Sequence, residues 1–387
     1  MRESFLVFGA PSLTEDDLEA LIATFRSGWI GTGPAAAALE QQFAQYKQIP
    51  HAVALSSCTA ALHLAMIAIG IQPGDEVITT PMTFCATANA ILHAGGVPVF
   101  ADIDPYTGLI SPEEIEKKIT PKTKALLPVH LCGRPCAMET LQAIALEHHL
   151  AIIEDCAHAI ETLYHGQPAG TLGDAGCFSF YVTKNITAIE GGMVTTANRA
   201  LADQIKTLAL HGLSADAWKR FSDSGYKHYE TVALGYKYNL PDVHAALALQ
   251  QLKRIEANWQ RRQAIWAQYD EAFQDLPCLI PPPQEENTRH ARHLYTLLLD
   301  LDRLRITRDQ FMDQLQQNQI GCGVHYLSLH LHSYYRDRYH FQPLDFPNAL
   351  WHSDRTLSLP LSPALQDEDI ADVIAAVRHL LLRHDIG

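Results

Sequence analysis

Between Ala52 and Thr196, short runs of apolar, β-branched residues alternate with stretches of helical spacing, and this alternation leaves few architectures open. AVALS from Ala52, EVITT from Glu76, VPVFAD from Val97, ALLPV from Ala125 and AIIED from Ala151 read as strands. Thr59–Ile69, Thr87–Ala94 and Met138–His148 read as helices between them. Strands that are apolar on successive residues are buried on both faces, which requires helices on either side of a parallel sheet. CFSF from Cys177 and MVTT from Met193 add two more strands. The predicted class is α/β, with a large, mixed, mostly parallel sheet.

Upstream of the sheet, Ser12 and Glu15 have capping-box spacing before an amphipathic run through Phe25, and Gly28 ends that helix. A helical pattern then runs from about Val243 to Phe273 without Gly or Pro, until the Pro281–Pro283 cluster breaks it. A strand at Leu294–Leu299, a helix near Arg308–Gln317 and a last helix from Asp367 follow. This shift places a boundary near residue 250: residues 1–250 form the large domain with its N-terminal helix, and 251–387 a smaller α+β domain.

The net charge of -14 argues against a nucleic-acid or anionic-membrane surface, which needs clustered Lys and Arg. The N-terminus has no basic segment ahead of a long apolar one, and no apolar run approaches the ~20 residues of a membrane span. Eight scattered cysteines suggest reduced thiols and a cytoplasmic location. Cys132 and Cys136 form a lone C-x3-C, too few ligands for zinc, and read as buried thiols; no metal is expected.

Ligands of α/β sheets bind beyond the carboxyl ends of the strands, so those exits are where chemistry is expected. At Ser56–Ala61, small residues precede a helix; this is either a plain helix cap or an anion cradle built from free N–H groups and the helix dipole. Neither a Walker lysine nor G-x-G-x-x-G is present, which argues against nucleoside triphosphates and dinucleotides. At Ile153–His158, Asp155 closes an apolar strand, where a carboxylate needs either a cation or a structural hydrogen-bonding role. At Cys177–Thr187, a strand delivers Ser179, and Lys184 follows before the Gly191-Gly192 pair. A desolvated lysine there has a lowered pKa and is able to form an imine. Anion cradle, acid and amine, in that order, match what pyridoxal 5'-phosphate (PLP) needs: a phosphate site, a carboxylate for its ring nitrogen and a lysine for its aldehyde.

The chain also resembles the DegT-type nucleotide-sugar aminotransferases along nearly its whole length. The resemblance is carried by SGWIGTGP (Ser27–Pro34), SCTAALHLA (Ser57–Ala65), GDEVITTPMTFCATANAI (Gly74–Ile91), PVHLCGRP (Pro128–Pro135), IIEDCAHA (Ile152–Ala159), GDAGCFSF (Gly173–Phe180), KNITAIEGG (Lys184–Gly192) and GYKYNLPDVHAAL (Gly235–Leu247). It implies the type I PLP-dependent transferase (aspartate aminotransferase-like) fold, with Lys184 as Schiff-base lysine and proton shuttle. Asp155 is implied at the pyridine nitrogen, His158 beside the ring and Phe84 on its face. Cys58, through its backbone N–H, Thr59 and Ser179 are implied at the phosphate. A homodimer with shared sites is implied, in which Asn239, or Lys237, reaches the neighbour's cofactor.

The lysine segment is similar to members that aminate C4 of a nucleotide-linked 4-keto sugar with L-glutamate as donor. GVHY (Gly323–Tyr326) and YYR (Tyr334–Arg336) are similar to members acting on a UDP-4-keto-pentose for lipid A modification of lipopolysaccharide, which makes His325, Tyr326 and His330 substrate candidates. A C3-keto-sugar aminotransferase and a non-enzymatic PLP-binding regulator are the alternatives. The chain departs from the family pattern at Cys58, where Gly is common, at Glu161, where a small residue is usual, and at Thr187–Glu190, where Thr-Thr-Gly-Glu is usual.

Overall fold

The computed structural model describes residues 2–214, 229–279 and 286–387. Two helices, α1 (Glu15–Ser27) and α2 (Pro34–Tyr46), precede the sheet. There follow β1 (His51–Leu55), α3 (Cys58–Ala68), β2 (Glu76–Thr79), α4 (Cys85–His93), β3 (Val97–Phe100), α5 (Pro112–Glu116), β4 (Thr123–Leu127), α6 (Met138–His148) and β5 (Ala151–Asp155). A small hairpin, β6 (Leu163–Tyr164) and β7 (Gln167–Pro168), leads to β8 (Ala175–Ser179), β9 (Gly192–Thr196) and α7 (Arg199–Ala209). The sheet order is β1-β9-β8-β5-β4-β2-β3. β9 is antiparallel to both of its neighbours, and the pairings from β8 to β3 are all parallel. The mixed, mostly parallel sheet read from the apolar runs is therefore present.

Helix α3 is apolar nearly all round, and it lies against β8, β9, α4 and α7. Its Leu62, Leu64 and Met66 are buried with Val77, Ile153, Cys177 and Val194 of the strands. Each such side chain contributes about 1.5–3 kcal/mol on burial, enough to hold the helix firmly against the face of the sheet.

Beyond the sheet come α8 (Asp242–Lys253), α9 (Ile255–Phe273), β10 (Cys278–Leu279), β11 (Tyr295–Leu299), α10 (Arg308–Gln317), α11 (Ser333–Tyr339), α12 (Pro347–Arg355), β12 (Thr356–Leu359) and α13 (Asp367–His384). β10, β11 and β12 form an antiparallel sheet covered by α9, α10 and α13, with a second core built on Tyr269, Phe273, Leu297, Phe311, Leu357 and Val377. Leu6 joins this core from the N-terminus through a bridge to Ile320. The Pro281–Pro283 cluster lies outside the described residues. Among the described residues no helix is long and apolar enough to cross a membrane.

Two local expectations are corrected. The N-terminal cap is Thr14 with Asp17, not Ser12 with Glu15: the Asp17 carboxylate accepts the Thr14 N–H at 2.9 Å. Ser12 is otherwise engaged, its carbonyl accepting from Gln251 at 3.1 Å and from Arg254 at 3.0 Å. The same tether explains the second correction. The pattern from Val243 to Phe273 is two helices, because Arg254, drawn to Asp17 and Ser12, leaves helical geometry at φ -111° and ψ 12°.

The departure at Thr187–Glu190 also has a physical reading. Ile189 stands at φ 69° and is half exposed. A β-branched residue is strained in the left-handed region, whereas glycine is at ease there. Ile189→Gly is expected to stabilise the protein by about 0.5–1 kcal/mol, the left-handed strain less glycine's entropy cost, as read by urea unfolding.

Candidate active site

Strand alternation sends the paired acids at the end of β5 to opposite faces of the sheet. Glu154 accepts N–H groups from Gly170 at 2.7 Å and from Leu172 and Gly173 at 2.8 Å, and meets His130 Nε2 at 2.9 Å. It is fully buried and structural. Asp155 turns the other way, into a pocket of about 540 Å³. Its Oδ2 accepts the Thr87 hydroxyl at 2.8 Å and its Oδ1 the Ala157 N–H at 3.0 Å. Burial pushes its pKa up; those hydrogen bonds and the Lys184 charge pull it down, but burial wins. A carboxylate so placed gains most from a cation brought in with the ligand.

The helix start at Ser57–Thr59 is a helix cap that also lies on the pocket. Ser57 caps α3, its Oγ accepting the Ala60 N–H at 3.0 Å, and Ser57, Cys58 and Thr59 line the same pocket as Asp155. The backbone of β9 comes so close that a Cβ on Gly192 would lie 2.4 Å from the Ser57 carbonyl carbon and 2.6 Å from the Cys58 nitrogen. This contact sets the end of β8, where Ser179 sits, beside the helix start. The result is a helix start of small residues, with its dipole and the hydroxyls of Thr59 and Ser179 at one pocket, an arrangement able to receive an anion.

Lys184 lines the pocket from the turn after β8, held by a hydrogen bond from its N–H to the Tyr181 carbonyl at 2.9 Å. Burial lowers its pKa to about 8, with the Asp155 charge acting in the opposite direction. His158 Nδ1 accepts the Cys132 N–H at 3.1 Å, and its Nε2 lies 3.2 Å from the Tyr326 hydroxyl. Burial and the nearby lysine keep the His158 ring neutral. Phe84 stands at the mouth, 58% exposed, with its ring centroid 6.1 Å from that of Tyr326. His325 lines the same pocket, its Nδ1 2.8 Å from the Ser358 hydroxyl, and burial pulls its pKa down to about 4.

The structure thus gathers Lys184, Asp155, His158, Cys58, Thr59, Ser179, Phe84, His325 and Tyr326 around one cavity. It does not bring His330 or Asn239 there. His330 is buried elsewhere, with Nδ1 2.7 Å from the Ser328 hydroxyl and Nε2 3.1 Å from the Pro343 carbonyl. Asn239 bridges Leu55 at the edge of the sheet and donates to Thr32. Sequence reasoning missed Thr83 and Thr87, which back Asp155 through a hydroxyl pair at 2.8 Å; their helical spacing of four was the available signal. It also missed Asn185 and His293, because they converge on Lys184 from segments about a hundred residues apart.

The matching relatives share this arrangement's whole frame. The profile of the DegT/DnrJ/EryC1/StrS aminotransferase family matches residues 11–378. The chain belongs to that family. It is 46% identical over 381 residues to the spore coat polysaccharide biosynthesis protein SpsC of Bacillus subtilis, covering 98% of each chain. Among solved structures it is similar to Spr1654 of Streptococcus pneumoniae, assigned as a sugar aminotransferase and solved in its PMP-form, with TM-score 0.91 and 32% identity over 98% of this chain and 99% of that one. PseC of Helicobacter pylori, an aminotransferase involved in the biosynthesis of pseudaminic acid, matches with TM-score 0.89 and 27% identity over 98% and 100%. The protein is a PLP-dependent sugar aminotransferase of type I fold.

For this aminotransferase the residues present fit the cofactor: the anion site, the cation-seeking Asp155 and the low-pKa Lys184 line one cavity. Gly192→Ala, which would force the Ser57–Cys58 backbone away, is expected to weaken cofactor binding at least about tenfold, a loss of one or two charge-assisted hydrogen bonds. A fluorescence titration of the apoprotein with PLP measures it.

Proposed function

We propose that this enzyme transfers an amino group from L-glutamate to a nucleotide-linked 4-keto sugar, with a UDP-4-keto-pentose as the preferred substrate type. The observation that carries the reading is the convergence of Lys184, Asp155 and the start of α3 on one pocket that also admits His325 and Tyr326. When bound, PLP supplies the electrophilic carbon and the electron-accepting ring. Asp155 holds the ring nitrogen in its cationic form. The N–H of Cys58 and the hydroxyls of Thr59 and Ser179 hold the phosphate, and Phe84 covers a ring face. Lys184 Nζ takes the proton from the donor's Cα and delivers one to the carbon that receives the amine; a pKa of about 8 suits both directions near neutral pH. His325 and Tyr326 meet the sugar from the pocket's far side.

A homodimer is part of this proposal, and charge supports it. Among the described residues lining the pocket, Lys184 is the only lysine or arginine. A donor carboxylate and a nucleotide diphosphate need further cations, and a second copy is the source we favour, with Asn239 or Lys237 reaching across. Trp29, Ile30 and Phe84, each about half exposed, are apolar surface for such a contact. The name of SpsC, a spore coat polysaccharide biosynthesis protein, favours a sugar destined for a surface glycan, and lipid A modification of lipopolysaccharide is the destination we favour. Eight free cysteines suit a cytoplasmic setting.

Lys184→Arg is expected to lower turnover at least about 100-fold, the scale of a lost general acid–base. Asp155→Ala is expected to impair turnover while the melting temperature stays near that of the unaltered protein. Incubation with L-glutamate and a panel of nucleotide 4-keto and 3-keto sugars, followed by mass spectrometry, checks the substrate: amination of 3-keto sugars alone would overturn the C4 assignment.

A further inference from the structure

Asn185, next in the chain to Lys184, has both of its amide N–H bonds committed. Nδ2 donates to Glu161 Oε2 at 2.8 Å and to the Ala291 carbonyl at 3.1 Å. Turning the amide over would set its oxygen against a carboxylate and a carbonyl, so Oδ1 is the atom that faces His293 Nδ1 at 2.9 Å. An amide oxygen only accepts, so His293 Nδ1 carries the ring proton. Glu161, the residue that departs from the family's small one, is itself held: it pairs with Arg262, and the two are 1% and 2% exposed. The His293 ring is buried against His158, with centroids 4.5 Å apart. Burial first, then the Lys184 charge, keep it neutral. A neutral ring protonated at Nδ1 has a lone pair at Nε2.

His293 and Lys184 line one small cavity behind the active pocket, together with Thr183, Asn185, Thr187 and Arg262. Its volume of about 30 Å³ is enough to admit ordered water. We propose that His293 Nε2 accepts a hydrogen bond from the Lys184 amine, directly or through one water in this cavity, whenever that amine is not bonded to the cofactor. Glu161, Arg262 and Asn185 are then positioning residues, acting through the His293 tautomer. The inference rests on the assignment of Lys184 above. A lysine that has just taken a proton needs an acceptor other than the substrate, and His293 provides one on the side away from the pocket.

The other titratable groups around this pair are Cys58, Cys132 and Asp155 near Lys184, and His158, His325, His290 and Arg262 near His293. Burial holds both thiols protonated and the three histidines neutral, so Lys184 is the group of this set that titrates near pH 8.

The test uses the apoprotein. Its rate of PLP capture, followed by visible absorbance from about pH 6 to about pH 10, rises as Lys184 loses its proton. In His293→Leu the ammonium loses its acceptor, so the inflection is expected to fall by at least about half a unit, a roughly threefold faster capture at fixed pH on the acid side. His293→Gln, whose amide reaches the Nε2 position, is expected to keep the original inflection, whereas His293→Asn, which reaches only the Nδ1 position, is not. Asn185→Leu is expected to shift it in the same direction as His293→Leu, and the double variant no further. Equal inflections in the unaltered, Gln and Asn proteins would overturn the proposal even if the Leu variant failed to fold. So would a histidine-selective nitrogen NMR spectrum showing the His293 proton on Nε2. Capture that survives in Lys184→Ala would instead sink the assignment of Lys184 itself.

Discussion

A carboxylate buried at the end of a central strand survives only if its oxygens are held and its charge is answered, and Asp155 imposes that condition on everything around it. Thr87 and the Ala157 N–H hold the oxygens, while burial still leaves its pKa raised. The charge is answered by Lys184 across the pocket and by whatever cation a ligand brings. The position of α4, which carries Thr87, and the turn after β5 follow from this need. The pocket is therefore polarised: an acid, a helix N-terminus and an amine all line it.

Two close contacts keep that geometry from drifting. The Gly192 backbone fits against Ser57 and Cys58 where no Cβ could stand, which locks the helix start to the end of β8. On the other side, the buried Glu161–Arg262 pair ties the segment after β5 to α9 and, through Asn185, to the lysine turn. A buried ion pair adds little net stability over a well-packed apolar pair, so its value here lies in orientation. Arg262 lies on the same helix that supplies Tyr269 and Phe273 to the second core, so that helix links the lysine turn to it.

Much of this was legible in the chain. Apolar runs separated by helical spacing specified a buried parallel sheet, because only helices on both faces can cover strands with no polar side. The residues at the strand exits, Ser57–Thr59, Asp155, Ser179 and Lys184, stood out together because small residues, an acid and a lysine follow one another at the ends of apolar strands, where acids and lysines are costly to bury. Less legible were contacts whose cause is remote in sequence. Nothing near Val243–Phe273 announces the break at Arg254, which comes from Asp17, more than two hundred residues away. His330 and His325 look alike as neighbours in one segment, yet one is satisfied by Ser328 and Pro343 and the other faces the pocket.

The sequence by itself therefore determined the fold class and the chain order of small-residue helix start, acid and amine, which follow from periodicity and local side-chain chemistry, and with the family resemblance it pointed to the cofactor. Only the tertiary structure decided which face of β5 each acid takes, which histidines are free to act, and how Glu161 governs Asn185 and His293. Hydrogen-bond direction and tautomer depend on which donors and acceptors are brought within about 3 Å, and that is settled by packing between distant segments.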